Sequence, residues 1–345
     1  MSLFGIFDGH GGSIISKFVA SNFLNVFTSS PSFKNKNYEQ ALIESYIKFD
    51  EFLKNKDVNE LLLRRNKIKE FNKKRNEQNT KQIFQTKDNI FPLILKYEGN
   101  SVEIEDNTNN NNNDYNNRST SAEGDEIDEC SSQLSDASEI KDIVRNNFLV
   151  AKEMGTTANV LFLTKNHLYI SNVGDSLSVI YKNGKAIKLN QEHKTTLISE
   201  YERIRKSGAH IYNNRIEGKL NLSRAIGDLA FKATPNLKFY EQSVTAFPER
   251  SKMKRANDIQ FIIMGCDGIW DCVEEQGLCE EIENNIKKDP NKKLSTILSE
   301  IFDKIVSKTN NIPIGTDNMS CIIIQFMPQI NIKSTSNNQI LPQED

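Results

Sequence analysis

Paired, metal-spaced cysteines and membrane-crossing segments are what this chain lacks. Its 345 residues include five cysteines, an odd number with no Cys-x-x-Cys spacing. That excludes a disulfide framework and a zinc ribbon, and suits reduced thiols in a cytoplasmic or nuclear setting. Cys266, Cys272 and Cys321 lie in or beside apolar runs, as small buried hydrophobes rather than nucleophiles. No stretch approaches the ~20 consecutive apolar residues of a membrane span, and no basic segment followed by an apolar one opens the chain. Position two is Ser2, so the glycine needed for N-myristoylation is missing. An excess of one charge is missing too. Lys and Arg number 44 against 46 Asp and Glu, which gives no global field for a nucleic acid or an anionic membrane. The expectation is a soluble monomer of the cytoplasm, the nucleus or both, with neither nucleic acid nor membrane as partner.

What the chain has instead is carboxylates at the ends of apolar runs. Leu3 to Phe7 runs into Asp8-Gly9-His10-Gly11-Gly12, and Phe261 to Met264 runs into Gly265-Cys266-Asp267-Gly268. A strand that stops at Asp-Gly sets a carboxylate at the rim of a sheet, and the glycine lets the backbone turn outward. A third Asp stands in Gly315-Thr316-Asp317-Asn318, just before the apolar run Cys321 to Phe326. Three carboxylates without a Cys/His cluster suit a hard, oxygen-loving cation, Mg²⁺ or Mn²⁺, rather than zinc.

Between these motifs the periodicity changes. Ile14, Ile15, Phe18, Val19, Phe23 and Val26 recur at helical spacing, and a second helix is predicted over Tyr38 to Leu53. From Leu61 to Lys87 the chain is basic, and from Glu98 to Glu139 it is acidic around the single basic residue Arg118 and the polyasparagine run Asn109 to Asn113. Too little apolar surface is available there to offset the entropy of ordering. The segment 57–139 therefore reads as a charged, Asn/Ser-rich insertion, largely disordered, with 98–139 fully so. Short apolar runs follow at Val160–Leu163, Leu168–Val173 and Leu177–Tyr181, and Lys182-Asn183-Gly184-Lys185 is a hairpin turn that demands antiparallel neighbours. Helices are predicted at Leu197–Lys206, Glu274–Lys288 and Leu294–Lys308. Strand meanders with helix pairs at both ends make the class α+β.

Phe4-Gly5-Ile6-Phe7-Asp8-Gly9-His10-Gly11-Gly12 resembles the signature of the metal-dependent type 2C protein serine/threonine phosphatases. Later motifs of that family stand in order: Gly155-Thr156-Thr157-Ala158, Asn172-Val173-Gly174-Asp175-Ser176, and Leu222-Ser223-Arg224-Ala225-Ile226-Gly227-Asp228. Cys266-Asp267-Gly268-Ile269-Trp270-Asp271 and Gly315-Thr316-Asp317-Asn318-Met319-Ser320 complete them. The resemblance implies a four-layer α-β-β-α sandwich, two antiparallel sheets flanked by helix pairs, as one phosphatase domain over 1–328 with a tail at 329–345. It implies hydrolysis of phosphoserine and phosphothreonine in proteins by a metal-activated water, with no covalent intermediate. Asp8 would bridge two Mg²⁺ or Mn²⁺ ions, with the Gly9 carbonyl, Asp267 and Asp317 as further ligands, and Asp175 and Asp271 as weaker ligands for a third ion. His10 would be the general acid that protonates the departing seryl or threonyl oxygen.

Residues outside this set carry plainer expectations. His167, His193 and His210 are structural, and Arg224 with Asp228 forms an internal salt bridge or loop brace. Met154 stands where a small residue is usual. No Gly-x-x-x-x-Gly-Lys-Ser/Thr loop is present for P-loop nucleotide hydrolysis, and no cysteine is followed by an anion-cradling loop ending in Arg. The match begins at the first residues, before which the family carries further strands, a phosphate-gripping Arg and an acidic pair. A truncated form of a longer phosphatase, poorly soluble and less active, is one expectation. A second reading is a catalytically impaired phosphatase-like domain that binds phosphoproteins. Retention of Asp8, His10, Asp267 and Asp317 together favours the enzyme, since a binding scaffold has no need of all four.

Overall fold

Alternation along each strand decides which core its side chains enter, because successive residues point to opposite faces. The computed structural model describes residues 1–63, 94–98, 101–105, 150–306 and 315–326. In β6 (Ala158–Leu163), Ala158, Val160 and Phe162 enter one cluster while Leu161 and Leu163 enter another. β7 (His167–Val173) repeats this, with Tyr169 and Val173 on one side and Leu168 and Ile170 on the other. Together with β1 (Ser2–Ile6) and β13 (Glu249–Lys254) they make an antiparallel sheet in the order β1-β6-β7-β13. A second antiparallel sheet has the order β15-β14-β8-β9, built from β8 (Leu177–Lys182), β9 (Lys185–Lys188), β14 (Ile259–Gly265) and β15 (Cys321–Gln325). The hairpin predicted at Lys182–Lys185 joins β8 to β9, with Asn183 and Gly184 both at positive φ, 52° and 74°. The short strands β10 (Ile211–Tyr212) and β11 (Arg215–Ile216) pair separately as a small hairpin.

Three apolar clusters organise these sheets. In the first, helices α1 (Ile14–Ser29) and α3 (Tyr38–Lys54), separated by the short α2 (Pro31–Lys34), pack Phe18, Phe23, Phe27, Tyr46 and Phe49 against Val160, Phe162 and Tyr169. The second joins Ile6, Leu161 and Ile170 of one sheet to Ile180, Ile262 and Met264 of the other. In the third, Val179, Tyr181 and Ile263 meet Leu278, Cys279, Ile282, Ile297 and Ile301 of the helices Glu275–Lys288 and Leu294–Ile305. The fold is thus a mixed α+β arrangement with antiparallel sheets.

Helix ends follow local chemistry. The Asn37 side chain accepts the Gln40 N–H at 3.4 Å to open α3, and Glu39 and Lys54 sit at the ends that suit the helix dipole. The helix Ile198–Lys206 stops at Ser207-Gly208, where Gly208 takes φ 87° and donates to the Arg205 carbonyl at 3.1 Å.

Two parts of the expected insertion are ordered. Residues 56–63 are helical, and Val58 and Leu62 are buried in the first cluster. Apolar side chains at this spacing outweigh the charged residues that made Asp57 look like a boundary. Further on, Ile94–Glu98 (β3) and Ser101–Glu105 (β4) pair as an antiparallel hairpin from Ile94↔Glu105 to Glu98↔Ser101. An acidic composition does not prevent backbone pairing of these two segments. The rest of 57–139, and the expected tail at 329–345, lie outside the described residues. No helix among the described residues is long and apolar enough to cross a membrane.

Tyr46 shows how α3 is fixed to its sheet. Fully buried, its hydroxyl lies 2.9 Å from the Ser171 carbonyl and 3.1 Å from the Ala158 carbonyl. Tyr46→Phe keeps the ring and removes this donor. It is expected to lower stability by about 1 kcal/mol, measured as a drop in the urea midpoint at unchanged slope.

Candidate metal and acid–base site

A small three-stranded sheet carries the residues that the strand ends expose. β2 (Gly9–His10) pairs with β5 (Gly155–Thr156), which pairs in turn with β12 (Ile226–Gly227). His10, Gly155 and Gly227 are therefore opposite one another. Main-chain bonds hold Asp8 at the mouth of this sheet. Its carbonyl accepts the Thr157 N–H at 2.8 Å and the Thr156 hydroxyl at 3.0 Å, and its own N–H donates to Thr157 Oγ1 at 3.1 Å. Thr157 Oγ1 also lies 3.0 Å from Ser176 Oγ, which ties the Asp175-Ser176 turn to the same clamp.

Asp267 and Asp317 arrive from the second sheet. Asp267 opens the short helix Asp267–Trp270 directly after β14, and the Asp317 turn precedes β15. Cys266 binds the two segments together. Its N–H donates to the Ser320 carbonyl at 3.2 Å, its sulfur receives the Ser320 N–H at 3.2 Å, and its thiol donates to the Asn318 carbonyl at 3.3 Å. Burial pushes the Cys266 thiol up to about 11, so it stays protonated at neutral pH. A side chain at position 268 would collide with the Asn318 carbonyl, so only glycine admits this approach.

The carboxylates crowd one another. Burial, then the charges of Asp267, Asp175 and Asp317, raises Asp8 to about 7. Burial and the Asp267 charge raise Asp175 to about 6, with Lys194 opposing. Asp267 is raised by burial and by Asp317. Its buried Oδ1 has no hydrogen-bond partner among the described residues. Ligand atoms of Asp8, Asp267 and Cys266 all lie within 4.8 Å of one another. An orphaned carboxylate oxygen amid like charges and an un-ionised thiol is an oxygen donor set, and it fits a hard divalent cation. The structure thus brings Asp8, Asp175, Asp267 and Asp317 into electrostatic reach, with Gly9 beside Asp8 in β2. Asp271 is at the edge, its carboxylate 3.4 Å from Lys194 Nζ.

Beside this cluster, His10 Nε2 lies 2.6 Å from Asp228 Oδ2. Burial opposes charging of the imidazole, yet the hydrogen bond and charge of Asp228, with Asp175 and Asp8 beyond, raise its pKa above the ordinary value. The pair lies over Gly155. A Cβ there would meet the Asp228 carboxylate and come within 2.6 Å of His10 Nε2. Sequence reasoning did not pair Asp228 with His10, and the expected Arg224–Asp228 salt bridge does not form. Gly227 and Asp228 both take positive φ, 88° and 50°, which turns Asp228 toward His10 and away from Arg224. Two signals were legible: an Asp after a glycine, and a glycine in the facing strand.

Arg224 instead joins a buried network. Its Nη2 lies 2.6 Å from Glu200 Oε1 and its Nη1 donates to the Phe247 carbonyl at 3.0 Å. Glu200 Oε2 also accepts from Arg203 Nη2 and Ser223 Oγ, both at 2.7 Å. His193 is buried nearby, its Nδ1 3.1 Å from the Gly174 carbonyl, and burial, then Arg224, lowers it to about 3, so it is neutral.

Comparison with known proteins adds a family to this geometry. The family model described as "Protein phosphatase 2C" matches residues 1–70 and 75–311. The probable protein phosphatase 2C 21 of Arabidopsis thaliana is 29% identical over 326 residues, 94% of this chain and 79% of its own length. The probable protein phosphatase 2C 3 of Paramecium tetraurelia is 27% identical over 326 residues, 94% of this chain and 82% of its own. Among solved structures, a serine-threonine phosphatase 2C from Toxoplasma gondii shares the fold with a TM-score of 0.51 at 14% identity, over 94% of this chain and 84% of that one. A C. elegans sex determining protein does so with 0.53 at 17% identity, over 95% of this chain and 57% of that one. An α+β chain with this carboxylate rim, matched over most of its length, is of the protein serine/threonine phosphatase class. It belongs to the protein phosphatase 2C family.

Two measurements check the site. Asp267→Asn removes one of the crowded charges. It is expected to raise metal-free stability by on the order of 1 kcal/mol, and Mn²⁺ is expected to raise the Tm of the wild type but not of this variant. The second concerns Glu200, where burial favours the neutral acid but Arg224 and Arg203 outweigh it and hold the carboxyl well below its ordinary 4.5. A depressed folded pKa contributes stability that is complete above the unfolded value and is lost as pH falls toward the folded one. Glu200→Gln should therefore be less stable at pH 7 by about 3 kcal/mol. In urea melts over a pH series below 4.5 it should lose much less further stability than the wild type.

Proposed function

We propose that this phosphatase hydrolyses phosphoserine and phosphothreonine in proteins in a metal-dependent way, with water as the nucleophile and no covalent intermediate. The observation that carries the reading is the His10–Asp228 pair, 2.6 Å long, beside a rim of four carboxylates. Asp8, the Gly9 carbonyl, Asp267 and Asp317 would hold two Mg²⁺ or Mn²⁺ ions, and Asp175 with Asp271 a third. When bound, such ions neutralise the phosphate's charge and acidify water. The three apolar clusters support a four-layer α-β-β-α sandwich with this rim at one edge.

The chain's own residues handle the leaving group. Alkoxide departure from a phosphoserine is unfavourable unless a proton reaches the oxygen as the bond breaks. Asp228 accepts the Nε2–H of His10, which leaves Nδ1 as the nitrogen that gives its proton to the seryl or threonyl oxygen. After transfer the neutral ring keeps Nε2–H on Asp228, so its orientation does not change between turnovers. Gly155 keeps the space under the pair clear, and the Thr156–Thr157 clamp fixes Asp8 relative to His10 two residues on.

His10→Ala is expected to lower kcat on a phosphoserine peptide with Mn²⁺ by roughly a hundred- to ten-thousand-fold. The loss on p-nitrophenyl phosphate, whose leaving group needs no proton, should be far smaller, and the Mn²⁺ affinity by calorimetry should be unchanged. Equal losses on both substrates would remove His10 as the proton donor. Turnover of the peptide by wild type in excess chelator would remove the metal dependence.

A further inference from the structure

The turn that presents Asp228 is held from behind by an ion pair outside the carboxylate rim. Asp50, on α3, is 177 positions from Gly227 in sequence, yet its Oδ1 accepts the Gly227 N–H at 2.9 Å. Its Oδ2 lies 2.5 Å from Lys232 Nζ, and Lys232 also donates to the Ala225 carbonyl at 2.8 Å. Both side chains are buried, Asp50 12% and Lys232 5% exposed. Replacing a buried ion pair by apolar residues of similar volume is often neutral or stabilising, so stability alone does not account for this one. What it does account for is geometry. Two consecutive residues at positive φ, the second not glycine, persist only where the surroundings over-determine them. Here Asp50 holds the Gly227 N–H, and the Met154 carbonyl holds the Asp228 N–H at 3.0 Å.

We propose that Asp50, locked in place by Lys232, is a positioning residue for the general acid: it fixes the Gly227–Asp228 turn, and the turn aims the Asp228 carboxylate at His10 Nε2. The inference rests on the reading of His10 as proton donor. Lys232 is the lock because it engages the second oxygen of Asp50 and the carbonyl two residues before Gly227, leaving Oδ1 for the Gly227 N–H. α3 is itself seated in the first apolar cluster by Phe49 and Leu53 on either side, so the anchor does not drift.

Two charge-neutral double variants separate this role from mere packing. Asp50→Leu with Lys232→Met removes both charges together and also removes the acceptor for Gly227. Asp50→Asn with Lys232→Met removes the same charges but keeps an acceptor oxygen. With Mn²⁺, the Leu/Met variant is expected to lose roughly 10- to 100-fold in kcat on a phosphoserine peptide. Its loss on p-nitrophenyl phosphate should be much smaller, while the Asn/Met variant keeps most of its peptide activity. In a His10→Ala background the Leu/Met change should bring no further leaving-group-dependent loss. Equal losses on the two substrates, or equal losses in the two double variants, would overturn the inference while leaving His10 in its role. His10→Ala showing no leaving-group dependence would instead overturn the proton-donor reading, and this inference with it. Should the Leu/Met variant not fold, hydrogen exchange on the wild type still decides, because a Gly227 amide exchanging as fast as an open loop has no Asp50 bond to lose.

Discussion

Like charge held at close range is the constraint around which this structure is arranged. Four carboxylates reach one another at a single edge, and burial with mutual repulsion raises Asp8 to about 7 and Asp175 to about 6. No unfolded chain would assemble such a cluster, because nothing local favours it. It is held by the two sheets, whose inner faces meet through Ile6, Leu161 and Ile170 on one side and Ile180, Ile262 and Met264 on the other. The apolar cores supply the driving force, and the rim is where part of it is spent against electrostatics.

The supports around the rim share a pattern. The turns that carry Asp8, Asp317 and Asp228 are each held through main-chain groups. Asp8 is held by Thr156 and Thr157, the Asp317 turn by Cys266, and Asp228 by Asp50 and Met154 through main-chain groups. At Asp228 a carboxylate oxygen is thereby left for His10, while Asp317 Oδ1 accepts the Asn318 N–H at 2.7 Å. The Glu200–Arg224–Arg203 network braces the segment leading into β12 in the same manner, with carbonyls of Ser223, Ser243 and Phe247 as acceptors. Rigid backbone and free side chain are what a preorganised site requires.

Much of this is legible in the order of the residues. The Asp-Gly strand ends single out Asp8 and Asp267, the turn before the last apolar run singles out Asp317, the run of motifs identifies the phosphatase family, and the helices and the Lys182–Lys185 hairpin follow from periodicity and turn chemistry. Composition alone is a poorer guide: 56–63 is helical and Ile94–Glu98 pairs with Ser101–Glu105, because burial of Val58 and Leu62 and backbone pairing answer to neighbours that composition does not describe. Arg224 and Asp228 share one motif, yet they have different partners, and nothing in their spacing says so.

The division has a physical basis. Sequence by itself determined the local matters: which runs are strands or helices, which residues end them, and which side chains have oxygens to offer, since each depends on neighbours a few positions away. Tertiary structure alone decided which distant groups meet. His10 finds Asp228 only because β2, β5 and β12 lie side by side with Gly155 between them, and Gly227 finds Asp50 only because α3 packs over that sheet. The lack of a side chain at position 155 is visible in the sequence, but what fills the space is not. Contacts across 218 and 177 positions are set by the packing of whole layers, which no local window contains.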